Sequence, residues 1–398
     1  MVAPAAVATI LVAGAASLFM AWAIGAGSSG STPFAPAVGA NAISVMRAGF
    51  VVGLLGLAGA VLQGANVSQA IGHELIRHAT LTPAAATVAL GTAAILVAVG
   101  VFAGYPIATA FTVTGAVVGV GLALGGVPAW DKYREIAALW VATPFIGGAI
   151  AYATARALRA DAVPESLAVP LLGGAVGAVL ANVRFVLLGP PGEAASLASA
   201  AGARVGAAPL AVAVLVTAAA ALAVTLALWW DLCRDPAGGQ RRFLLALGGL
   251  VAFSAGGSQV GLAIGPLLPL LSGGAIALAV PLIALLSFGG VGLLLGSWTG
   301  APRMIKALSQ DYSSLGPRRS IAALIPSFAI AQVAVFFGIP VSFNEIIVSA
   351  IIGSGYAAGE GAVSGRKMGY TVLAWLGSLA LAFAAGYGVF AAVEGLLL

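Results

Sequence analysis

Charge is what this sequence has least of. Lysine, arginine, aspartate and glutamate make up 7% of its 398 residues, against about 25% in soluble domains. With 61% hydrophobic residues and a mean hydropathy of +1.10, this excludes a soluble domain and leaves a polytopic integral membrane protein. One cysteine, Cys233, excludes an intramolecular disulfide and leaves the redox compartment open. There are two histidines, His73 and His78 in "IGHELIRHA", which read better as a wet interfacial cluster with Glu74 than as a metal site. No spacing joins a nucleophile to a base, so neither an enzyme nor a cofactor is expected. The net charge of +5 sits on loop arginines and implies no nucleic acid partner. The opening "MVAPAAVATILVAGAASLFMAWAIG" lacks the basic start and short apolar core of a cleaved signal peptide, so it reads as a first span.

What the chain has in excess is glycine, at 55 residues, which suits tightly packed or interrupted membrane helices. Apolar segments fall at 5–45, 48–72, 83–104, 106–126, 136–157, 168–190, 207–230, 243–271, 277–299, 319–338, 340–357 and 369–393. Most approach the roughly 20 residues that span a bilayer. The first and eighth are too long for one straight helix and are interrupted by polar, glycine-rich stretches, so broken or re-entrant helices are expected there. With twelve crossings and both termini outside, Arg47, Arg156, Arg159, Arg234, Arg241, Arg242, Arg303, Lys306, Arg318, Arg319, Arg366 and Lys367 lie inside. Only Arg77, Lys132, Arg134, Arg184 and Arg204 lie outside, a bias that orients the chain in a cell membrane.

"GYPIATAFTVTGAVVGVGLALGG" (104–126) has a counterpart 234 residues later in "GIPVSFNEIIVSAIIGSGYAAG" (338–359). Gly104/Gly338, Pro106/Pro340, Ala116/Ala350, Gly119/Gly353, Gly121/Gly355, Ala123/Ala357 and Gly125/Gly359 coincide without a gap. Upstream, "AIGAGSSGSTPFAPAVG" (23–39) pairs with "FSAGGSQVGLAIGPLLP" (253–269), and downstream "ALWVATPF" (138–145) pairs with "LAWLGSLA" (373–380). The pattern predicts two repeats, 1–160 and 243–398, separated by two linking spans and a central cytoplasmic loop in 161–242. Seven crossings separate the starts of the copies, an odd number, so the repeats take opposite topologies. An all-α protein of about 12 transmembrane segments in two inverted repeats with broken helices reads as a secondary transporter.

Each copy offers two breaks. Pro106 and Pro340 mark helix starts, where free N–H groups and the positive end of the helix dipole favour an anion. Thr109 and Thr112 add hydroxyls in the first copy, and Ser342 and Asn344 add polar groups in the second. Ser28, Ser29, Ser31, Thr32, Ser258 and Gln259 line the other two breaks. Together they compose an oxyanion site without arginine; singly, each hydroxyl is better explained by a bond to its own backbone or to a neighbouring helix. Glu345 is the one acid well inside an apolar segment, a candidate for carrying a proton or ligating a coupling cation. Its alternative is a protonated acid bonded to a carbonyl. "GAGSSG" (25–30) matches a dinucleotide-binding pattern only formally, since no βαβ unit surrounds it.

These residues resemble the inorganic phosphate transporter (PiT) family, whose two inverted repeats each carry a "GANDVANA"-like break and a later "PVSTTH"-like helix start. The matching stretches are "GAGSSGST" (25–32), "GGSQVGLAIGP" (256–266), "PIATAF" (106–111) and "PVSFNE" (340–345). The resemblance implies phosphate transport, with sodium coupling through the first motif and anion binding through the second. This chain departs at the key positions: Ser28 and Gln259 stand for the aspartates and Ser258 for an asparagine. Thr109 sits between Ala108 and Ala110, Ser342 precedes Phe343 and Asn344, and Phe111 and Glu345 replace the histidines. The resulting expectation is an oxyanion permease for phosphate, with sulfate second, coupled to sodium or protons by alternating access. An uncoupled channel-like or non-transporting homologue is the alternative. The lipid bilayer is the expected environment, and a homodimer stays open.

Overall fold

The computed structural model describes residues 4–160, 164–190, 193–205, 208–272, 280–310, 312–313, 315–359 and 363–397. Residues 207 and 277–279 of two predicted segments lie outside them. The first region contains α1 (Pro4–Ile24), α2 (Ala35–Gly39), α3 (Val45–Gln63), α4 (Ala65–Gln69), α5 (Pro83–Ala103), α6 (Thr109–Ala123) and α7 (Trp130–Ala157). After α8 (Glu165–Asn182), α9 (Leu197–Val205) and α10 (Pro209–Arg234) come α11 (Pro236–Ile264), α12 (Leu268–Ser272), α13 (Leu282–Thr299) and α14 (Ala301–Gln310). The chain ends with α15 (Pro317–Phe337), α16 (Phe343–Tyr356) and α17 (Gly365–Leu397).

Helix boundaries follow local chemistry. Thr82 accepts a hydrogen bond from the Ala85 N–H at 3.2 Å ahead of Pro83, and Asp235 accepts from the Gly238 N–H at 2.9 Å ahead of Pro236, so both helices start on a capped, proline-led turn. α5 and α15 both stop at left-handed glycines, Gly104 (φ +74°) and Gly338 (φ +62°), a conformation that disfavours side chains. Two short antiparallel ribbons, Ile76–Arg77 with Val127–Pro128 and Arg184–Phe185 with Ala195–Ser196, tie the loops together.

Among the described residues, ten helices are long and apolar enough to cross a membrane, and α6 is a shorter apolar helix. The other predicted segment, 340–357, forms α16, of 14 residues. These two are short because each begins three residues after its proline: 105–108 and 339–342 are unwound, whereas the sequence places helix starts at Pro106 and Pro340. Proline biases the residue before it toward extended backbone, so the unwound connector begins at Tyr105 and Ile339.

The two long segments differ. α1 passes into a π-helical turn, Gly25–Ser29, before α2, which is an interruption where one is expected. In the second, α11 runs unbroken through Gly256, Gly257 and Gly261, and gives way only at the 3-10 turn Gly265–Leu267. Its glycines serve close packing: a Cβ on Gly256 would strike the Gly56 carbonyl, as one on Gly25 would strike the Leu293 carbonyl.

The core is built across the chain. α6 packs along α17 and α7 along α16, while α1 packs on α5 and α13, and α11 on α3 and α15. A Cβ on Gly119 would meet the Phe383 carbonyl, and one on Gly353 the Gly148 carbonyl. α10 packs on α8, α9 and α11, and of its residues only Leu232 is buried. Leu210, Leu215, Leu222, Trp229 and Trp230 lie outward on it, a surface suited to lipid.

Candidate anion site

The unwound residues before α6 and α16 place the two helix starts near the middle of the bundle, where α1 and α11 carry their polar residues. Neither start has a side-chain cap, so the first backbone N–H groups of both helices are free of intrahelical partners. Each connector is clasped by a tryptophan from the other half. The Trp140 indole N–H donates to the Pro340 carbonyl at 2.8 Å, and the Trp375 indole N–H donates to the Pro106 carbonyl at 2.8 Å. Trp140 also stacks on Phe111 with ring centroids 3.8 Å apart.

Ser28, Thr109 and Gln259 form one hydrogen-bonded cluster. Thr109 Oγ1 donates to Gln259 Oε1 at 2.8 Å and Ser28 Oγ to the same oxygen at 3.2 Å. Gln259 Nε2 donates to the Val341 carbonyl, so a single amide joins the π-helical turn after α1, α6, α11 and the connector to α16. Asn344 does the reciprocal work, with Nδ2 donating to the Gly27 carbonyl at 2.8 Å and the Ile107 carbonyl at 2.7 Å. The equivalent connector carbonyls, Ile107 and Val341, thus each accept from a side-chain amide.

Other sequence-selected residues satisfy themselves locally. Ser31 and Thr32 donate to the Ser28 carbonyl at 3.2 and 3.0 Å, and Thr112 to the Ala108 carbonyl at 3.0 Å. In contrast, Ser29 Oγ, Ser258 Oγ, Ser342 Oγ, Asn344 Oδ1 and Glu345 Oε2 are buried without a protein partner. Leaving such a group unpaired costs about 1–3 kcal/mol, a cost that a polar ligand or water would relieve. The named cluster holds no lysine or arginine, so an anion there would be held by hydroxyls, amides and helix dipoles.

Sequence reasoning overlooked the tryptophan clasps. Their signal was present, since Trp140 and Trp375 occupy the same place in the aligned stretches 138–145 and 373–380. The His73–Glu74 region sits elsewhere: Lys132 pairs with Glu74 at 2.8 Å and Glu135 at 3.4 Å, at the loop end of α7.

Residues 24–386 match the phosphate transporter family. The chain belongs to that family. Its relatives include a chloroplastic protein of Arabidopsis thaliana named inorganic phosphate transporter 2-1, 25% identical over 90% of this chain and 68% of that protein. A protein of Thermococcus kodakarensis named as a candidate phosphate permease is 26% identical over 89% of this chain and 90% of its own length. A solved structure titled "The sodium-dependent phosphate transporter" superposes with a TM-score of 0.80 at 23% identity, covering 98% of this chain and all of that one. This phosphate transporter family member is therefore a multi-pass helical membrane protein with that transporter's fold.

Proposed function

We propose that this family member is a permease for inorganic phosphate working by alternating access. The anion is held between the starts of α6 and α16. The supporting observation is the convergence of two uncapped helix starts, joined through Ser28, Thr109, Gln259 and Asn344, with the Ser342 hydroxyl at the second start buried without a partner. Ser28, Thr109, Gln259 and Asn344 shape that space through the hydrogen bonds described. Ser31, Thr32 and Thr112 hold the backbone that forms its walls. Asn344 Oδ1 and Glu345 Oε2 are buried acceptor oxygens suited to a sodium ion or, at the carboxyl, a proton. In this reading the repeats 1–160 and 243–398 have opposite topologies, both termini face outward and the protein resides in the plasma membrane.

Uptake of labelled phosphate into proteoliposomes, with sulfate as competitor and with sodium or proton gradients imposed separately, tests the proposal. Saturable, gradient-dependent phosphate uptake is the expected result. No saturable uptake of either anion would sink it. An uncoupled reading draws on one observation: neutral Ser28 and Gln259 occupy the positions of the family's aspartates and bond to each other. Saturable uptake indifferent to either gradient would select it.

A further inference from the structure

Between the α8–α10 pair and the core helices α3, α11 and α15 lie two cavities of about 800 and 450 Å³ that share Val183 and Gln332, so they are parts of one crevice. All five helices are long and apolar enough to cross a membrane. The crevice follows from how α8 meets α10. A Cβ on Gly174 would strike Thr225 Oγ1 and one on Gly177 the Ala220 carbonyl, so the two helices seat closely on each other. Toward the core they present only stripes spaced one turn apart, Val176 and Leu180 on α8 and Val224 and Leu228 on α10. Leu247, Leu250 and Phe328 form the facing wall, yet Leu180 and Ala246 in the lining stay exposed, so the chain's own side chains do not close the gap. Water gains little in an apolar gap, and the lining atoms forgo dispersion contacts until hydrocarbon enters.

The two ends differ in charge. At the α10 end, Arg242 is bound to Asp231 at 2.6 and 2.9 Å and to Asp235 at 3.3 Å. At the other, the Arg184 guanidinium lies over Phe336, 4.1 Å from the ring centroid, and only its backbone carbonyl is engaged, by Gln63 at 2.9 Å. Among the described residues Arg184 makes no ion pair, and neither does Glu193, the one acid of its loop.

We propose that the crevice is a lipid site taken by a bilayer phospholipid of net negative charge. One acyl chain fills the apolar space, and the phosphate headgroup meets Arg184, whose paired donors match phosphate oxygens. The hydrocarbon lining and the uncompensated charge at one end select this occupant together. The lipid is mortar between the linking pair and the core, because α10 rests chiefly on α8 and α9 while α8 meets α11 and α15 only sparsely.

The test reads lipid binding, so its outcome is independent of transport. The full chain, exchanged in detergent against equal amounts of phosphatidylglycerol and phosphatidylcholine, is weighed by native mass spectrometry. The wild type retains phosphatidylglycerol preferentially. Arg184→Gln lowers that retention about tenfold, the effect of losing roughly one charge-assisted contact, and Arg184→Lys keeps most of it. Ala246→Trp fills the larger cavity from α11 and lowers retention of both lipids. Ala227→Trp does the same from α10, which guards against distortion by either variant, while Ser342→Ala changes nothing. Equal retention of the two lipids by the wild type, or retention that Arg184→Gln and both tryptophan variants leave unchanged, overturns the proposal. A lipid-free dimer that Ala246→Trp splits assigns the crevice to a second copy of the chain and overturns it as well.

Discussion

The helix starts of α6 and α16 occupy equivalent places and are built from the same unwound connector, yet they differ in what they leave open. At α6, the hydroxyls of Thr109 and Thr112 are both committed, one to Gln259 and one to the Ala108 carbonyl. At α16, Ser342 Oγ, Asn344 Oδ1 and Glu345 Oε2 are buried without partners. The first turn of α6 is therefore closed on itself and that of α16 is unsatisfied, although Ser29 Oγ in the π-helical turn and Thr114 Oγ1 further along α6 are also without partners. Shared backbone geometry does not make two half-sites chemically equal, and ligand contact should fall mainly on the α16 side.

The strongest test of that asymmetry is Asn344→Leu. It strips the donor from the Gly27 and Ile107 carbonyls, at about 1–3 kcal/mol each, so uptake should be abolished and thermal stability should fall sharply; a variant with near-normal melting would break the comparison at its root. Glu345→Gln preserves shape and should abolish accumulation above the external concentration while leaving exchange of labelled phosphate intact. Retention of full gradient dependence would remove the residue's proposed role. Ser342→Ala should raise the KM for phosphate about tenfold, the equivalent of ~1.4 kcal/mol, whereas Thr112→Ala should change it less than about twofold. Equal effects from these two would erase the difference between the halves. The smallest effect belongs to the clasps: Trp140→Phe and Trp375→Phe should each cost about 1 kcal/mol of stability, read as modest shifts of melting temperature in detergent.

Much of this arrangement was legible in spacing alone. The shift of 234 residues pairs Gly104 with Gly338 and Gly125 with Gly359, and all four have positive φ; a turn that demands a left-handed residue leaves its mark on sequence. What spacing could not show was how a glycine is used. Gly25 lies in a real interruption of α1, while Gly256 lies inside continuous α11, because close approach of a neighbouring carbonyl and distortion of a helix both select the residue without a side chain. The three-residue offset between proline and helix start was hidden for a related reason, since proline is as compatible with an extended connector as with a first turn. Hydrogen-bond commitments were the least legible: Thr109 and Thr112 read alike in sequence, and only the surrounding elements decide that one reaches across to Gln259 and the other back to its own helix.

The packing of α6 along α17 and of α7 along α16 has a consequence for how the molecule is assembled. The first half lends α6 and α7 and the second lends α17 and α16 to these crossed contacts, so neither can complete its interior by itself. Expressed as separate polypeptides cut between α10 and α11, the halves should be individually insoluble in mild detergent and recoverable only when made in the same cell. The polypeptide bond joining them would then be a convenience of synthesis, and the real join would be the crossed helices.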